Sequence, residues 1–206
     1  MEERLQGNPV SEGIAYAKSY IYIPGTLTKA PDFFPKGQEE EKYREFRESC
    51  EKADSELVTL YNGMCKEDPD KAKIFSAHRE LLQDEEILDE IRETICEENM
   101  NPDSAVSKVY TEFAELLAGV EDPLIAERAA DLRDVRDRLL RILSGQETSK
   151  LSSFSEDVIL VAHDLLPSDT ATMDRKHIKG ILTEVGGVNS HSAILARSYG
   201  IPVILG

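Results

Sequence analysis

The stretch Gly180-Ile-Leu-Thr-Glu-Val-Gly186-Gly187-Val188-Asn189-Ser190-His191-Ser-Ala-Ile-Leu-Ala-Arg197-Ser-Tyr-Gly200-Ile-Pro202-Val-Ile-Leu-Gly206 decides the fold class. Residues 180–185 are rich in apolar and β-forming types and predict a strand. The double glycine breaks it, residues 190–199 carry a helical pattern, and 201–205 predict another strand. Working backwards, Val158–Ala162 reads as a strand, a short helix starts from Ser168, and the Tyr- and Ile-rich run Ala15–Ile23 suits a further strand. Strand and helix alternate, the pattern of an α/β unit. The chain stops on the strand 201–205, so the expectation is an α/β domain truncated at its C-terminal side, with further strands to follow.

The middle of the chain differs. Tyr43, Phe46, Cys50, Ala53, Leu57, Leu60 and Met64 keep a 3–4 spacing that lays one apolar stripe along a long helix. A second helix is predicted from Pro69, carrying Ile74, Phe75, Leu81 and Leu82, and Ile87, Leu88, Ile91 and Ile95 continue the pattern in a very acidic segment. Asn101-Pro102 and Asp122-Pro123 each put a capping residue before a proline at the first helical position. The helices they open are expected to end at Gly119 and Gly145 in the left-handed closing conformation. Their predicted buried faces are Val106, Val109, Tyr110, Phe113 and Leu117, then Ala129, Leu132, Val135, Leu139 and Ile142. Short connections between amphipathic helices make an antiparallel bundle. The expected organisation is therefore an α/β domain from residues 1–35 plus 148–206, interrupted by an all-α bundle over 36–147. Residues 146–155 form a polar linker, and Phe33-Phe34-Pro35 an anchored loop between the units.

The 206 residues carry 24 Lys and Arg against 40 Asp and Glu, a net charge of −16 and a pI near 4.7. Residues 36–147 hold 30 acids and 16 bases, so nearly all the surplus sits in the bundle. That balance argues against nucleic acid or an anionic membrane as partner and favours a basic protein or a small ligand. The start, Met1-Glu2-Glu3-Arg4, lacks the cationic-then-apolar order of a signal peptide, and no apolar run is long enough to span a bilayer. Cys50, Cys65 and Cys96 are odd in number and far apart, so buried reduced thiols are expected in a cytoplasmic protein.

Chemistry is best placed at residues 186–197. Gly186 and Gly187 permit a sharp turn after a strand and close approach of a ligand. Asn189 or Ser190 can cap the helix, which puts His191 in its first turn beside free N–H groups and the positive end of the helix dipole. A neutral imidazole there can take up a phosphoryl group as a nucleophile, and the helix terminus would offset the charge on it. On local features alone, a plain turn with a polar residue at a helix start explains the run equally well. His163 and His177, with Asp164 and Asp174 nearby, lack a repeated ligand spacing and read as structural or surface residues, so no metal site is expected.

The run 186–206 resembles the phosphohistidine loop of enzymes that use phosphoenolpyruvate, specifically the enzyme I family of the phosphoenolpyruvate:sugar phosphotransferase system. Ser11-Glu-Gly-Ile-Ala15 is similar to that family's opening strand motif. His78-Arg-Glu-Leu-Leu-Gln-Asp-Glu-Glu-Ile87 resembles its partner-binding helices. Glu127-Arg-Ala-Ala-Asp-Leu-Arg-Asp134 and Asp157-Val-Ile-Leu-Val-Ala162 match in order and spacing. The resemblance implies a swivelling phosphohistidine domain in which His191 takes the phosphoryl group from phosphoenolpyruvate and passes it to a histidine on the small carrier HPr. It also implies that Thr170 hydrogen-bonds and orients the active imidazole, although alone Thr170 reads as a helix-start cap. His78, Asp84, Glu86 and Arg128 are implied at the HPr interface. Phosphoenolpyruvate and Mg²⁺ are implied to bind a C-terminal barrel that nothing in this chain could form, so no cofactor is expected here. Because the family dimerises through that barrel, a monomer is expected.

The family's usual Gly-Gly-Arg-Thr-Ser-His reads Gly186-Gly187-Val188-Asn189-Ser190-His191 here, and Glu12 stands where the family has proline. Losing the arginine removes a fork of donors near the phosphoryl group. Arg197 is a possible substitute contact. The span Asp84, Glu85, Glu86, Asp89, Glu90, Glu93, Glu97 and Glu98 holds a single base, Arg92, and reads as a solvated face or a dock for a basic carrier. Two alternative functions remain: a non-catalytic acidic docking module, and the carrier domain of a pyruvate phosphate dikinase or phosphoenolpyruvate synthase.

Overall fold

The computed structural model describes residues 6–23, 32–145, 150–185 and 191–206. The chain divides into two compact units, Met1–Thr26 with Thr148–Gly206, and Leu27–Glu147.

The first unit is built on a five-stranded sheet. Its strands in chain order are β1 (Asn8–Ser11), β2 (Lys18–Tyr22), β3 (Val158–Ala162), β4 (Ile178–Thr183) and β5 (Val203–Leu205), and their spatial order is β1-β5-β4-β3-β2. Strands β2 to β5 run parallel, and β1 closes one edge antiparallel to β5. The alternation of buried Val158, Leu160 and Ala162 with half-buried Ile159 and Val161 shows one face turned to the core. Leu160, Ile178, Ile181, Val203, Leu205 and Leu151 fill that core. The sequence reading did not separate β1 from the Ser11–Ala15 motif. In the structure the strand ends at Ser11, and Gly13 then adopts φ +145 with Pro202 so close that a Cβ would meet its Cγ at 2.6 Å. Only glycine fits there.

The second unit holds five helices: α1 (Glu39–Met64), α2 (Pro69–Leu82), α3 (Glu85–Cys96), α4 (Pro102–Ala118) and α5 (Pro123–Leu143). The predicted stripe on α1 is buried at Phe46, Cys50, Ala53, Leu57 and Met64, with Tyr43 and Leu60 at its half-buried margins. Burying side chains such as Phe46, Leu57 or Ile91 stabilises the bundle by roughly 1.5–3 kcal/mol each. Asp68 and Asp84 cap α2 and α3 through their carboxylates.

Three details depart from the sequence reading. Asn101 makes no side-chain cap on α4; the residue is buried, and its backbone N–H donates to the Asp32 carbonyl at 2.9 Å. Gly119 closes α4 at φ −80, in the right-handed region, whereas Gly145 does turn left-handed at φ +67. Residues 32–35 belong to the bundle: Phe33 bridges Met100, the Phe34 N–H donates to the Asn99 carbonyl at 2.9 Å, and Phe34 is buried. Main-chain hydrogen bonding outweighs chain proximity there. No described helix is long and apolar enough to cross a membrane.

Candidate functional site

In the first unit, two helices follow from the carboxyl ends of neighbouring parallel strands. The helix α6 (Pro167–Thr172) comes after β3, and α7 (His191–Ser198) comes after β4. The β3–β4 ladder runs past the strand ends: the Glu184 N–H donates to the Ala162 carbonyl and the Val185 N–H to the His163 carbonyl, both at 3.1 Å. The buried Thr183 hydroxyl donates to the Val185 carbonyl at 2.7 Å. These bonds secure the chain immediately before Gly186, at the edge where parallel α/β sheets take ligands. Gly186 and Gly187 lie outside the described residues, as does the side chain of His191. The backbone of His191 opens α7, so that residue stands where a helix leaves N–H groups unpaired and its dipole favours an anion. Helix α6 packs on α7.

Thr170 is fully buried in α6, three residues beyond the first helical position, and is therefore not the cap that its sequence context suggests. Its hydroxyl donates to the Pro167 carbonyl at 2.9 Å. With the proton directed into its own helix, the oxygen keeps lone-pair capacity to accept an N–H. The residue holding the start of α6 is Asp169, whose Oδ2 accepts the Leu166 N–H at 3.2 Å while its Oδ1 accepts the Tyr22 hydroxyl at 3.0 Å. That carboxylate joins β2 to α6 under Thr170. The sequence reading missed it, although a carboxylate three residues after a helix start is a recognisable capping spacing.

Asp174 was also missed as a fixing point. Its carboxylate accepts from the Phe154 N–H at 3.0 Å, the Lys176 N–H at 3.1 Å and the His177 Nδ1 at 2.7 Å. The backbone N–H of Phe154, followed by the His177 ring, pushes its pKa down to about 2. His177 is therefore structural, as its sequence context indicates. His163 pairs with Glu184, Nδ1 to Oε2 at 2.8 Å, and both side chains are largely exposed.

Arg197 stands six residues beyond His191, about 9 Å along the axis of α7. Its Nε donates to the Ala193 carbonyl at 3.3 Å. Its backbone lies near the C-terminal end of the helix, while that bond folds the side chain back one turn toward the start. Cys50, Cys65 and Cys96 are free; only Cys50 is buried, and burial pushes its thiol up to about 12, which makes it an inert core group.

In the second unit, Asp84, Glu85, Glu86, Asp89, Glu90, Glu93, Glu97 and Glu98 are all exposed. Glu85 and Glu86 occupy the first turn of α3 behind the Asp84 cap, where the helix dipole favours acids and offsets part of their mutual repulsion. Arg128 is exposed on α5. His78 is not: it is 0% exposed, on the inward stripe with Phe75 and Leu82, and so its side chain is no surface contact. The spacing 75, 78, 82 carried that signal. Nε2 of His78 lies 3.3 Å from Asp131 Oδ1, and because a carboxylate accepts, the nitrogen is the donor. Its Nδ1 is buried with no hydrogen-bond partner, 3.7 Å from Asp134 Oδ2. Such an unpaired buried atom costs about 1–3 kcal/mol.

A family model described as PEP-utilising enzyme, N-terminal, matches residues 6–128, and one described as PEP-utilising enzyme, mobile domain, matches residues 154–206. The phosphoenolpyruvate-protein phosphotransferase of Priestia megaterium is 39% identical over 207 residues, taking in 100% of this chain and 36% of that protein. Its counterpart in Bacillus subtilis (strain 168) is 38% identical over 205 residues, 99% of this chain and 36% of that protein. This chain thus spans little more than a third of the length of these curated relatives. Among solved structures, Enzyme I (nEIt) matches with a TM-score of 0.81 and 37% identity, covering 98% of this chain and 82% of that one. The N-terminal domain of Enzyme 1 - Nitrogen matches with a TM-score of 0.66 and 25% identity, covering 98% of this chain and 83% of that one. With two family models in order along it and a fold matching the N-terminal domain of Enzyme I, the chain belongs to the PEP-utilising enzymes.

Proposed function

We propose that this chain is the phosphoryl-carrying and carrier-docking portion of a phosphoenolpyruvate-protein phosphotransferase. The observation that carries the reading is the placement of His191 at the start of α7, beyond the carboxyl end of β4 in the parallel sheet. In the transfer, a lone pair on an imidazole nitrogen of His191 attacks phosphorus. The bond from phosphorus to the donor's oxygen or nitrogen breaks, and the donor leaves with that electron pair. The N–H groups at the mouth of α7 then offset charge on the phosphoryl oxygens. Thr170, on the helix packed against α7, accepts the imidazole N–H and holds the ring's orientation. Gly186 and Gly187, having no side chains, are the residues assigned to close approach of the phosphoryl group.

The receiving partner is an HPr-type basic phosphocarrier. It docks on the exposed acids of α3, with Asp84, Glu86 and Arg128 among its contacts. Its histidine attacks the phosphohistidine in turn, so the reaction is reversible phosphoryl exchange serving sugar uptake in the cytoplasm. Phosphoenolpyruvate and Mg²⁺ are bound by the remainder of the full-length protein. Among the described residues no three His, Cys, Asp or Glu side chains come together as a metal site, and no step here is assigned to a metal. The phosphotransferase names of the relatives favour this reading over a dikinase or synthase carrier domain.

Mixing the chain with phospho-HPr and measuring intact mass tests the reading. One acid-labile phosphoryl group is expected on the unsubstituted chain and none on His191→Ala. Binding of HPr without any labelling would favour a non-catalytic docking module instead.

A further inference from the structure

Asp84 and Glu86 at the start of α3 and Arg128 on α5 are exposed, and His78 is buried where α2 packs on α5. His78 lies on α2, and its partners Asp131 and Asp134 lie on α5. Asp131 follows Arg128 by one helical turn. At the other end, α2 stops at Leu82, two residues before Asp84 caps α3. This α2–α3 corner is also tied to α1, through Arg79 and Gln83 to Asp54 at 2.7–3.1 Å, and to α4, through the Tyr110 hydroxyl to the Leu81 carbonyl at 3.4 Å. Among the described residues, His78 ties α2 to α5 by its bond to Asp131, one turn before the corner.

We propose that His78 is a positioning residue that fixes the α2–α3 corner against α5, so that Asp84 and Glu86 on one side and Arg128 on the other meet a basic phosphocarrier as one preset face. The inference rests on the docking reading above. An apolar side chain at this point would fill the space yet let two helix surfaces slide. A directional bond from Nε2 to Asp131 has one favourable geometry and sets the register. A face held in register before binding loses less freedom on association. The unpaired Nδ1 fits a group kept for register more than for stability alone.

The test compares His78→Gln, whose flexible amide cannot reproduce the ring's fixed geometry, with Asp131→Asn, which loses the charged acceptor, each confirmed folded by circular dichroism and titrated with HPr at low ionic strength. Each is expected to weaken binding about fivefold. The decisive readout is a double-mutant cycle of Asp131→Asn with Glu86→Gln, which sit on different helices. Independent sites multiply their effects, whereas a shared register couples them, by about threefold or more. Ile95→Val, a mild truncation in the α3 core, controls for stability and is expected to bind within about twofold of the unsubstituted chain. Multiplicative losses, undiminished binding in both folded variants, or equal weakening by Ile95→Val would overturn the inference. If His78→Gln does not fold, Asp131→Asn carries the cycle. An unsubstituted chain that shows no saturable HPr binding would bring down the docking reading itself; saturable binding with multiplicative losses brings down only the role of His78.

Discussion

The two units present different surfaces to solvent. The bundle exposes a dense row of acids on α3 and carries most of a net charge of −16. The sheet unit has nearly balanced charge and exposes apolar side chains such as Ile14, Tyr16, Ile21, Ile23 and Ile204. A surface of the first kind acts at a distance, steering an oppositely charged protein through a field that salt screens. In the sheet unit the feature suited to a ligand works only at contact range: the start of α7, where a helix orients its N–H groups. Under the proposed function, the contrast assigns recognition to the charge of one unit and chemistry to the backbone geometry of the other.

The sharpest test of that separation is His191→Ala, which should abolish label transfer from phospho-HPr. Phosphoryl label appearing instead on a bundle histidine would mean that the chemistry is not confined to the sheet unit. Next in size is stability: Phe46→Ala, deep in the bundle, should cost about 3–5 kcal/mol in urea unfolding. Replacing Glu86, Glu90 and Glu93 together by lysine changes only exposed positions. It should lower HPr affinity roughly tenfold at low salt and flatten the dependence on ionic strength; an unchanged salt slope would detach docking from the acidic face. The smallest effect belongs to the sheet unit. Asp174 has its pKa depressed from 3.8 to about 2. Its contribution to stability is therefore fully present above pH 4 and lost as pH falls through about 2. Asp174→Asn should lower stability slightly above pH 4 and flatten its fall between about pH 4 and 2, so that the two proteins converge below that window in acid-unfolding curves.

Much of this architecture was legible in residue patterns. The 3–4 spacing on α1, the proline starts of α2, α4 and α5, and the strand–helix alternation after residue 158 each reflect local physics that acts within a few residues. Of the candidate site, the helix from His191 was legible in the same way, because its start depends on neighbouring residues, whereas Gly186 and Gly187 lie outside the described residues. What local pattern missed were groups whose partners are remote in the chain. Asp169 meets Tyr22 across 147 positions, and Asp174 meets Phe154 across 20. Residues 32–35 joined the bundle because of Asn99 and Asn101, which no local rule could reveal.

His78 marks the boundary between the two kinds of knowledge. Sequence by itself determined the helices, the strands, the acidic face and the position of His191, because propensity, periodicity and charge are properties of neighbouring residues. Only the tertiary structure decided that His78 meets Asp131, that Asp169 accepts from Tyr22, and that Gly13 lies against Pro202. Burial and hydrogen bonding depend on which surfaces meet once the chain has folded, and that choice is made by the packing of the whole unit.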